Sequence, residues 1–409
     1  MSFIPSAPNR TRTSVPTRSR SSSLIRPLSS PEIRALGTAQ KLLDPCDVRI
    51  NGHRPWDLQV HHPQTLVRIL ARGSLGLGES YMDGWWDCDH LDAFFTRILR
   101  ARLDEQMSGA AAAWLGLRAR LLNLQSERRA WQVGREHYDL GNDLFEGMLD
   151  SSMAYSCAYW AQADSLEEAQ TAKLDLVCRK LGLQAGMTLL DIGCGWGSLM
   201  RHAAEHYGVH CTGLTISKAQ AAWGAERARG LPMHFELADY RNFNSDGARR
   251  FDRIASIGMF EHVGHKNYHA FFDTARRSLK DQGLCLLHTI GKNRSGTTID
   301  PWCEKYIFPN GALPSLAELT AASEALFVVE DLHNFGADYD RTLMAWHARF
   351  EASWPRLLER YGERDGERFR RMWRYYLLGC AGTFRARSNQ LWQLVLSPSG
   401  VEGGYRRVS

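Results

Sequence analysis

The sequence predicts an α/β fold with a mostly parallel sheet and helices on both of its faces. From residue 187 onward, short apolar runs alternate with amphipathic stretches, which is typical of strands joined by right-handed helical crossovers. The run LLDIGCGWGS at 189–198 contains glycines at alternate positions, as a turn from a buried strand into a helix requires. The 409 residues, 44% hydrophobic and 23% charged, suffice for two folded domains.

The individual elements follow from the same alternation. Strands are predicted at 188–192, 208–214, 233–238, 251–257 and 283–289, with a final antiparallel pair at 327–330 and 392–396. Helices are expected to start near Ser198, Ser217 and Asn267. Ser165 and Glu168 have the spacing of a capping box, which predicts a further helix ahead of the first strand.

Composition divides the chain into three parts. Residues 1–30 contain five arginines, nine serines and no acidic residue, which predicts a disordered basic tail. Residues 31–125 are interpreted as a smaller N-terminal α+β domain, with helices near 33–43, 91–103 and 110–124 and with turns at Gly76, Gly78 and Gly84. Residues 126–409 would form the larger domain that holds the sheet.

Composition also bears on the cellular location. The tail suits an organelle transit peptide, an arm that touches anionic lipid, or a solvated tail without a function. No uncharged apolar run approaches the roughly 20 residues that span a bilayer, so we expect any membrane contact to be peripheral. Nine cysteines without a Cys-x-x-Cys pair indicate reduced thiols in a cytosolic protein, and we predict no metal site.

The glycine turn indicates a nucleotide-like ligand. Gly193, Gly195 and Gly197 do not form a dinucleotide fingerprint, whose third glycine would fall at Ser198. The spacing instead resembles motif I of class I methyltransferases, which bind S-adenosylmethionine. A glycine-rich loop without a ligand is the alternative, which the surrounding β/α pattern disfavours.

Polar residues follow the predicted parallel strands at their carboxyl ends, where open sheets bind ligands. These residues are Asp191, Thr215, Asp239, Glu261, His262 and His288, the last of them at the end of the fifth strand. No acidic residue follows the second strand, so Thr215 and Gln220 would replace the carboxylate that usually binds the ribose. Asp239 and Tyr240 should then contact the adenine.

Longer motifs give a more specific resemblance, which runs from about Gly76 to the C-terminus. They include GLGESYMDGWWDCD at 76–89, EHYDLGNDLF at 136–145, YSCAYW at 155–160, GMFEHVGHKNY at 258–268, KYIFPNGALPS at 305–315 and CAGTFRARSNQLWQ at 380–393. On these motifs the chain resembles the cyclopropane-fatty-acyl-phospholipid synthases. The resemblance implies a class I methyltransferase fold and catalysis for 126–409 and lipid or membrane binding for 31–125.

In that family, S-adenosylmethionine delivers a methylene to the cis double bond of an unsaturated acyl chain in membrane phospholipid. The resemblance implies that a bound bicarbonate is the base, held by the residues matching Cys157, Glu261, His288 and Tyr339, with the Ile290 backbone nearby. Tyr155 and Ser156 are expected in the wall of the cofactor site.

Cys380 has two interpretations. The resemblance makes it a candidate catalytic residue, whereas its spacing from Phe369, Trp373, Tyr376 and Phe384 on one helix face favours packing.

The resemblance further suggests a homodimer at the cytoplasmic, inner face of the membrane, and we expect no nucleic-acid partner. Two alternative functions remain open. One is plain methyl transfer to a lipid or an amine, and the other is lipid binding without catalysis.

Overall fold

The structure is a computed structural model, and it describes residues 27–103, 142–296 and 299–408. The predicted tail, apart from its last residues, and the predicted helix at 110–124 lie outside the described residues. The strands are β1 (Gln59–Val60), β2 (Trp86–Asp87), β3 (Thr188–Ile192), β4 (His210–Thr215), β5 (Met233–Leu237), β6 (Phe251–Ile257), β7 (Leu279–Lys292), β8 (Val328–Asn334) and β9 (Asn389–Ser397).

One large sheet joins seven of these strands in the order β5-β4-β3-β6-β7-β9-β8. The neighbours from β5 to β7 pair in parallel, and β9 lies antiparallel between β7 and β8. The predicted parallel sheet and its closing antiparallel pair are therefore confirmed. The chain leaves β3 in one direction and returns to its other side as β6, which creates a ligand crevice at the carboxyl ends of the strands.

Helices precede, connect and follow the strands. They are α1 (Ser30–Leu43), α2 (Thr65–Met82), α3 (Leu91–Arg100), α4 (Asn142–Met148), α5 (Leu166–Lys180), α6 (Ser198–Tyr207), α7 (Lys218–Arg227), α8 (Tyr268–Ser278), α9 (Pro301–Tyr306), α10 (Leu316–Ser323), α11 (Ala337–Tyr361) and α12 (Glu363–Arg385). Ser165 caps α5 in the predicted capping box, and Ser217 caps α7 by accepting from the Gln220 N–H.

The sheet is buried on both faces because successive side chains of its central strands point in opposite directions. Leu189 and Leu286 pack with residues of α5 and α6. Leu190 and Leu287 pack with residues of α8 on the other face. The apolar runs in the sequence thus correspond to strands covered on both sides, as parallel sheets usually are.

The N-terminal residues share a hydrophobic core with the two long C-terminal helices. Tyr81 and Phe95 contact the ring of Tyr375 on α12, with ring centroids 5.6 and 5.1 Å apart. Arg371, also on α12, donates to the backbone oxygens of Tyr81 and Trp86. The division at residue 125 stays a prediction, because the described N-terminal residues and α12 pack in one continuous core.

Two details of the sequence interpretation were wrong. Gly76 and Gly78 lie inside α2 rather than in turns, because close packing, and not chain reversal, requires glycine there. Gly84 does form a turn, with φ +74°. His288 lies within β7 rather than at its end, since pairing with β9 extends the strand to Lys292.

Candidate active site

A cavity opens at the carboxyl ends of β3, β4, β5 and β6. Nine of the ten predicted cofactor residues line it, namely Tyr155, Ser156, Asp191, Gly193, Gly195, Thr215, Gln220, Asp239 and Tyr240. Gly197 does not line the cavity. It precedes α6 as its N-cap with φ +86°, so its role is to turn the chain into the helix.

The glycine turn brings backbone close to the cavity. Gly193 has φ +85°, and a Cβ atom there would lie 2.5 Å from the Met259 side chain. At Gly197 a Cβ atom would lie 2.6 Å from the ring of Phe235. A side chain at either position would therefore strain the backbone and displace a neighbour.

Thr215 and Gln220, which are predicted to replace the ribose-binding carboxylate, contact each other in the cavity wall. The Thr215 Oγ1 hydroxyl lies 3.0 Å from Gln220 Oε1 and accepts from the Ser217 N–H. The hydroxyl hydrogen is thus directed at Gln220 Oε1, which leaves the Gln220 NH₂ group to donate to a ligand. The two neutral side chains could therefore bind ribose hydroxyls although no acidic residue follows this strand.

Asp239 is held by a neighbour that the sequence interpretation missed. Arg241 donates through Nε and Nη2 to the two oxygens of Asp239, at 2.8 and 2.5 Å. A bidentate pair of this kind fixes the carboxylate in place. Tyr240 lines the cavity beside it, and burial raises the pKa of its phenol.

Asp191 and Lys173 are buried titratable residues in the wall of the cavity. Burial raises the pKa of Asp191 to about 7, and Lys173 counteracts the shift. Burial lowers the pKa of Lys173 to about 8, although Asp150 opposes the shift. Lys173 was missed from the sequence because lysine is seldom buried, yet it lies at helical spacing between the buried residues Gln170 and Val177.

Glu261 is a buried carboxyl group in the 3₁₀ turn Phe260–His262 that follows β6. Its Oε1 atom accepts from the Ile290 N–H at 2.6 Å, while its Oε2 atom has no partner in the part of the chain that the structure describes. Burial raises the pKa of Glu261 to about 7, and the bond from Ile290 limits the rise. The Ile290 backbone, which is expected near this site, therefore orients the Glu261 carboxyl group through its N–H.

His288 lies two residues before Ile290 on β7 and so points to the same face of the strand. Its Nδ1 atom lies 3.2 Å from Nε2 of Gln393, which is a donor, so the ring hydrogen is placed on Nε2 of His288. That Nε2 atom is buried and has no partner among the described residues. Burial lowers the pKa of His288 well below its ordinary value, so the ring is neutral.

Cys157 and Tyr339 complete the predicted cluster. Burial raises the pKa of both groups well above their ordinary values, so both stay protonated. Cys157, Tyr155, Glu261 and Cys380 are near enough to act electrostatically on this phenol, and each raises the Tyr339 pKa further. Within the described residues, no direct hydrogen bond joins the side chains of Cys157, Glu261, His288 and Tyr339, whose roles stay predictions.

Aromatic rings enclose the cluster. Tyr339 packs against Phe384 at 4.6 Å between ring centroids, and the Tyr155 and Tyr376 hydroxyls are 2.8 Å apart. Cys380 lies on the same helix as Phe384, and burial raises the pKa of its thiol to about 12. The thiol is thus protonated at neutral pH, which agrees with the packing interpretation.

The family model described as mycolic acid cyclopropane synthetase matches residues 125–394, which is more than half of the chain. The chain belongs to this family. The Cyclopropane-fatty-acyl-phospholipid synthase of Escherichia coli (strain K12) is 54% identical over 369 residues, covering 90% of this chain and 94% of that protein.

Solved structures agree with this assignment. The mycolic acid cyclopropane synthase CmaA1, complexed with SAH and CTAB, has a TM-score of 0.59 and 36% identity and covers 65% of this chain and 97% of its own. Coclaurine N-methyltransferase has a TM-score of 0.66, with 78% and 98% coverage, but its 24% identity supports the fold alone. The chain is therefore an S-adenosylmethionine-dependent transferase with a class I methyltransferase fold.

The residues that the structure describes contain neither a membrane-spanning helix nor a metal-binding cluster. None of their helices combines the length and the apolar character that crossing a membrane requires. They also contain no group of three or more His, Cys, Asp or Glu residues arranged to hold a metal ion.

Proposed function

We propose that this synthetase-family chain transfers a methylene from S-adenosylmethionine to the cis double bond of an unsaturated acyl chain in membrane phospholipid. The observation that carries the proposal is the position of Tyr339 and the groups near it, which are Cys157, Glu261 and Cys380. Buried polar groups and aromatic rings meet there, next to Tyr155 in the wall of the cofactor cavity. The identity with the E. coli phospholipid synthase supports the same substrate class.

The reaction requires a dry, oriented site because an alkene is a weak nucleophile. The alkene carbon bonds to the methyl carbon while the bond from that carbon to sulfur breaks, which releases S-adenosylhomocysteine and leaves a carbocation on the acyl chain. Loss of a proton from the transferred methyl then lets its carbon close the ring. The rings of Tyr155, Tyr376 and Phe384 lie among the groups near Tyr339, and each that faces the carbocation would stabilise it by roughly 0.5 to 2 kcal/mol.

Bicarbonate is the base that we propose for ring closure, and the residues fit it. His288 Nε2–H and Glu261 Oε2 are a donor and an acceptor, both buried and both without a partner among the described residues. Tyr339 stays protonated and can also donate. The Cys157 thiol stays protonated as well, but it donates to the Ala158 backbone oxygen at 3.2 Å and would have to turn away from it to donate to the anion. Bound bicarbonate would supply a proton acceptor, and its hydroxyl hydrogen would separate it from the Glu261 carboxylate.

We further propose that the chain acts as a homodimer and binds peripherally to the inner face of the membrane. The basic residues of the tail and the domain at 31–125 are the parts that we propose for docking on anionic phospholipid. Phospholipid with cis-unsaturated chains is the substrate, and we propose a homodimer as the assembly.

Acyl-chain analysis tests the proposed reaction. The purified chain would be incubated with S-adenosylmethionine and vesicles of a phospholipid that carries cis-monounsaturated chains. We expect an acyl chain heavier by one CH₂ group, from which the alkene proton signals are lost. A methylated product that keeps its alkene would instead establish plain methyl transfer, and unmodified lipid would favour lipid binding without catalysis.

A further inference from the structure

Lys173 is a fully buried lysine that the proposed reaction does not use. Its side chain is 1% exposed, and its Nζ atom donates to Ser156 Oγ at 2.8 Å. The described residues provide this one hydrogen bond and no carboxylate oxygen within 4.0 Å of Nζ. Two of the three ammonium hydrogens are thus left for other acceptors.

The nearest carboxylates do not supply these acceptors. Asp150 and Asp191 act on Lys173 at longer range. The Asp150 oxygens already accept from Ser152 and from the Ala154 N–H. A buried ammonium group without a close counter-charge is costly, so an anionic ligand in contact with it is strongly favoured.

A second buried lysine on the same helix shows the contrast. Lys180 is as deeply buried, but its Nζ atom lies 3.1 Å from His333 Nδ1 and 3.8 Å from Asp331 Oδ2. Lys180 does not line the cofactor cavity, whereas Lys173 does. Of the two buried lysines on α5, Lys180 thus has its partners within the protein, whereas Lys173 faces the cavity.

Lys173 shares its end of the cavity with Asp191, Ser156 and the glycine turn. The Asp191 carboxylate accepts no hydrogen bond from the described residues, so it is also available to a ligand. Gln220, Asp239 and Tyr240 follow other strands and suit the nucleoside. The amino-acid part of S-adenosylmethionine carries one carboxylate and one ammonium group, which complement Lys173 and Asp191.

We propose that Lys173 binds the carboxylate of the methyl donor, so that the chain selects S-adenosylmethionine over donors that lack this carboxylate. The inference rests on the proposed use of the cavity for S-adenosylmethionine. It does not depend on the lipid substrate or on bicarbonate.

The test compares two ligands by isothermal titration calorimetry of the full chain. S-Adenosylhomocysteine carries the carboxylate, and its decarboxylated analogue lacks it. We expect the unaltered chain to bind S-adenosylhomocysteine about 10- to 100-fold more tightly, as one buried charge-assisted hydrogen bond provides. In Lys173→Met this preference should fall to near unity, whereas the matched control Lys180→Met should keep it.

Several outcomes would overturn the proposal. A preference that survives in Lys173→Met shows that Lys173 has a structural role only. If Lys173→Met instead leaves S-adenosylhomocysteine binding unchanged and alters the dependence of turnover on bicarbonate, Lys173 serves the base. If the variant does not fold, equal affinity of the unaltered chain for both ligands overturns the proposal without it.

One further outcome separates this inference from the proposed function. A clear preference for S-adenosylhomocysteine combined with no cyclopropane product would contradict the proposed function and leave this inference intact.

Discussion

Glu261 combines burial with an incomplete set of hydrogen bonds, which gives a prediction for stability. Its pKa rises from 4.5 to about 7 because the folded chain removes the carboxylate from water. A raised acid pKa contributes stability below the unfolded value, near pH 4.5, and this stability is lost as the pH rises through 7. Above pH 7 the buried carboxylate therefore opposes folding.

Glu261→Gln should remove this penalty. We expect the variant and the unaltered chain to have similar free energies of unfolding at pH 4.5. At pH 8 the variant should be more stable by on the order of 3 kcal/mol, which is the energy of the pKa shift. Urea denaturation at several pH values measures the difference, and a difference that does not change with pH would contradict the predicted shift.

The same variant should lose turnover. A glutamine side chain is neutral, its amide oxygen accepts more weakly than a carboxylate, and its NH₂ group replaces one acceptor oxygen by a donor. In the proposed mechanism Glu261 accepts the bicarbonate hydrogen, so we expect kcat to fall at least about a hundredfold. Binding of S-adenosylhomocysteine should not change, because Glu261 does not line the cofactor cavity. Turnover that persists in a folded Glu261→Gln chain would remove this residue from the mechanism.

Replacement of Cys380, unlike that of Glu261, is expected to leave turnover largely unchanged. Its thiol is protonated at neutral pH because burial raises its pKa to about 12, and a thiol is a poor nucleophile. We expect Cys380→Ser to keep most of its turnover while losing about 1 to 3 kcal/mol of stability, since a hydroxyl enters an apolar site. Loss of turnover with intact stability and S-adenosylhomocysteine binding would establish a catalytic role.

At the scale of single residues, the sequence indicates where a side chain lies when its position along a strand determines the location. Asp191 and Thr215 lie at the carboxyl ends of two adjacent parallel strands and Asp239 follows the next one, so the sheet itself brings them to the cavity. Lys173 and Arg241 escaped prediction for a physical reason. Their importance depends on which groups surround them in three dimensions, and charged residues in sequence are usually exposed.

At the scale of elements, α2 carries a testable packing constraint. Gly78 lies against Trp302 of α9, and a Cβ atom there would be 2.3 Å from the Trp302 ring. Trp302 is buried and cannot move aside, so we expect Gly78→Ala to lower the free energy of unfolding by roughly 1 to 3 kcal/mol.

Gly37 provides the matched control. It lies in α1, and a Cβ atom there would meet nothing within 4 Å. Gly37→Ala should therefore stabilise the chain, by about 0.5 to 1 kcal/mol. Urea denaturation of both variants measures the contrast, and equal effects would show that α2 does not pack closely on α9.

The glycines in α2 also show the limit of reading elements from sequence. Glycine clusters usually mark turns, but here Gly76 and Gly78 permit close approach to the Arg68 oxygen and to Trp302. The strands were more predictable because their apolar runs are continuous. The exception was the extent of β7, which β9, more than 90 residues later, lengthens by pairing with it.

At the scale of the whole molecule, the described N-terminal residues pack on α12, and the basic tail precedes them. Removal of residues 1–26 keeps Ser29 and its capping box on α1 while deleting all five tail arginines. Five arginines on anionic lipid contribute at most about 5 kcal/mol, and salt should screen them.

We therefore expect the truncated chain to bind vesicles of anionic phospholipid more weakly than the full chain at low salt. At high salt the two chains should bind equally. Vesicle co-sedimentation across a salt series measures this, with neutral phospholipid as the control. Equal binding at every salt concentration would exclude the tail from docking.

The most direct test of methylene transfer traces the hydrogens of the donor's methyl group into the product. S-Adenosylmethionine with a fully deuterated methyl group would be supplied together with vesicles of cis-unsaturated phospholipid, and the acyl chains would be analysed by mass spectrometry. Methylene transfer predicts a ring carbon that carries two deuterium atoms, because ring closure removes the third. A product that retains all three deuterium atoms would contradict the account.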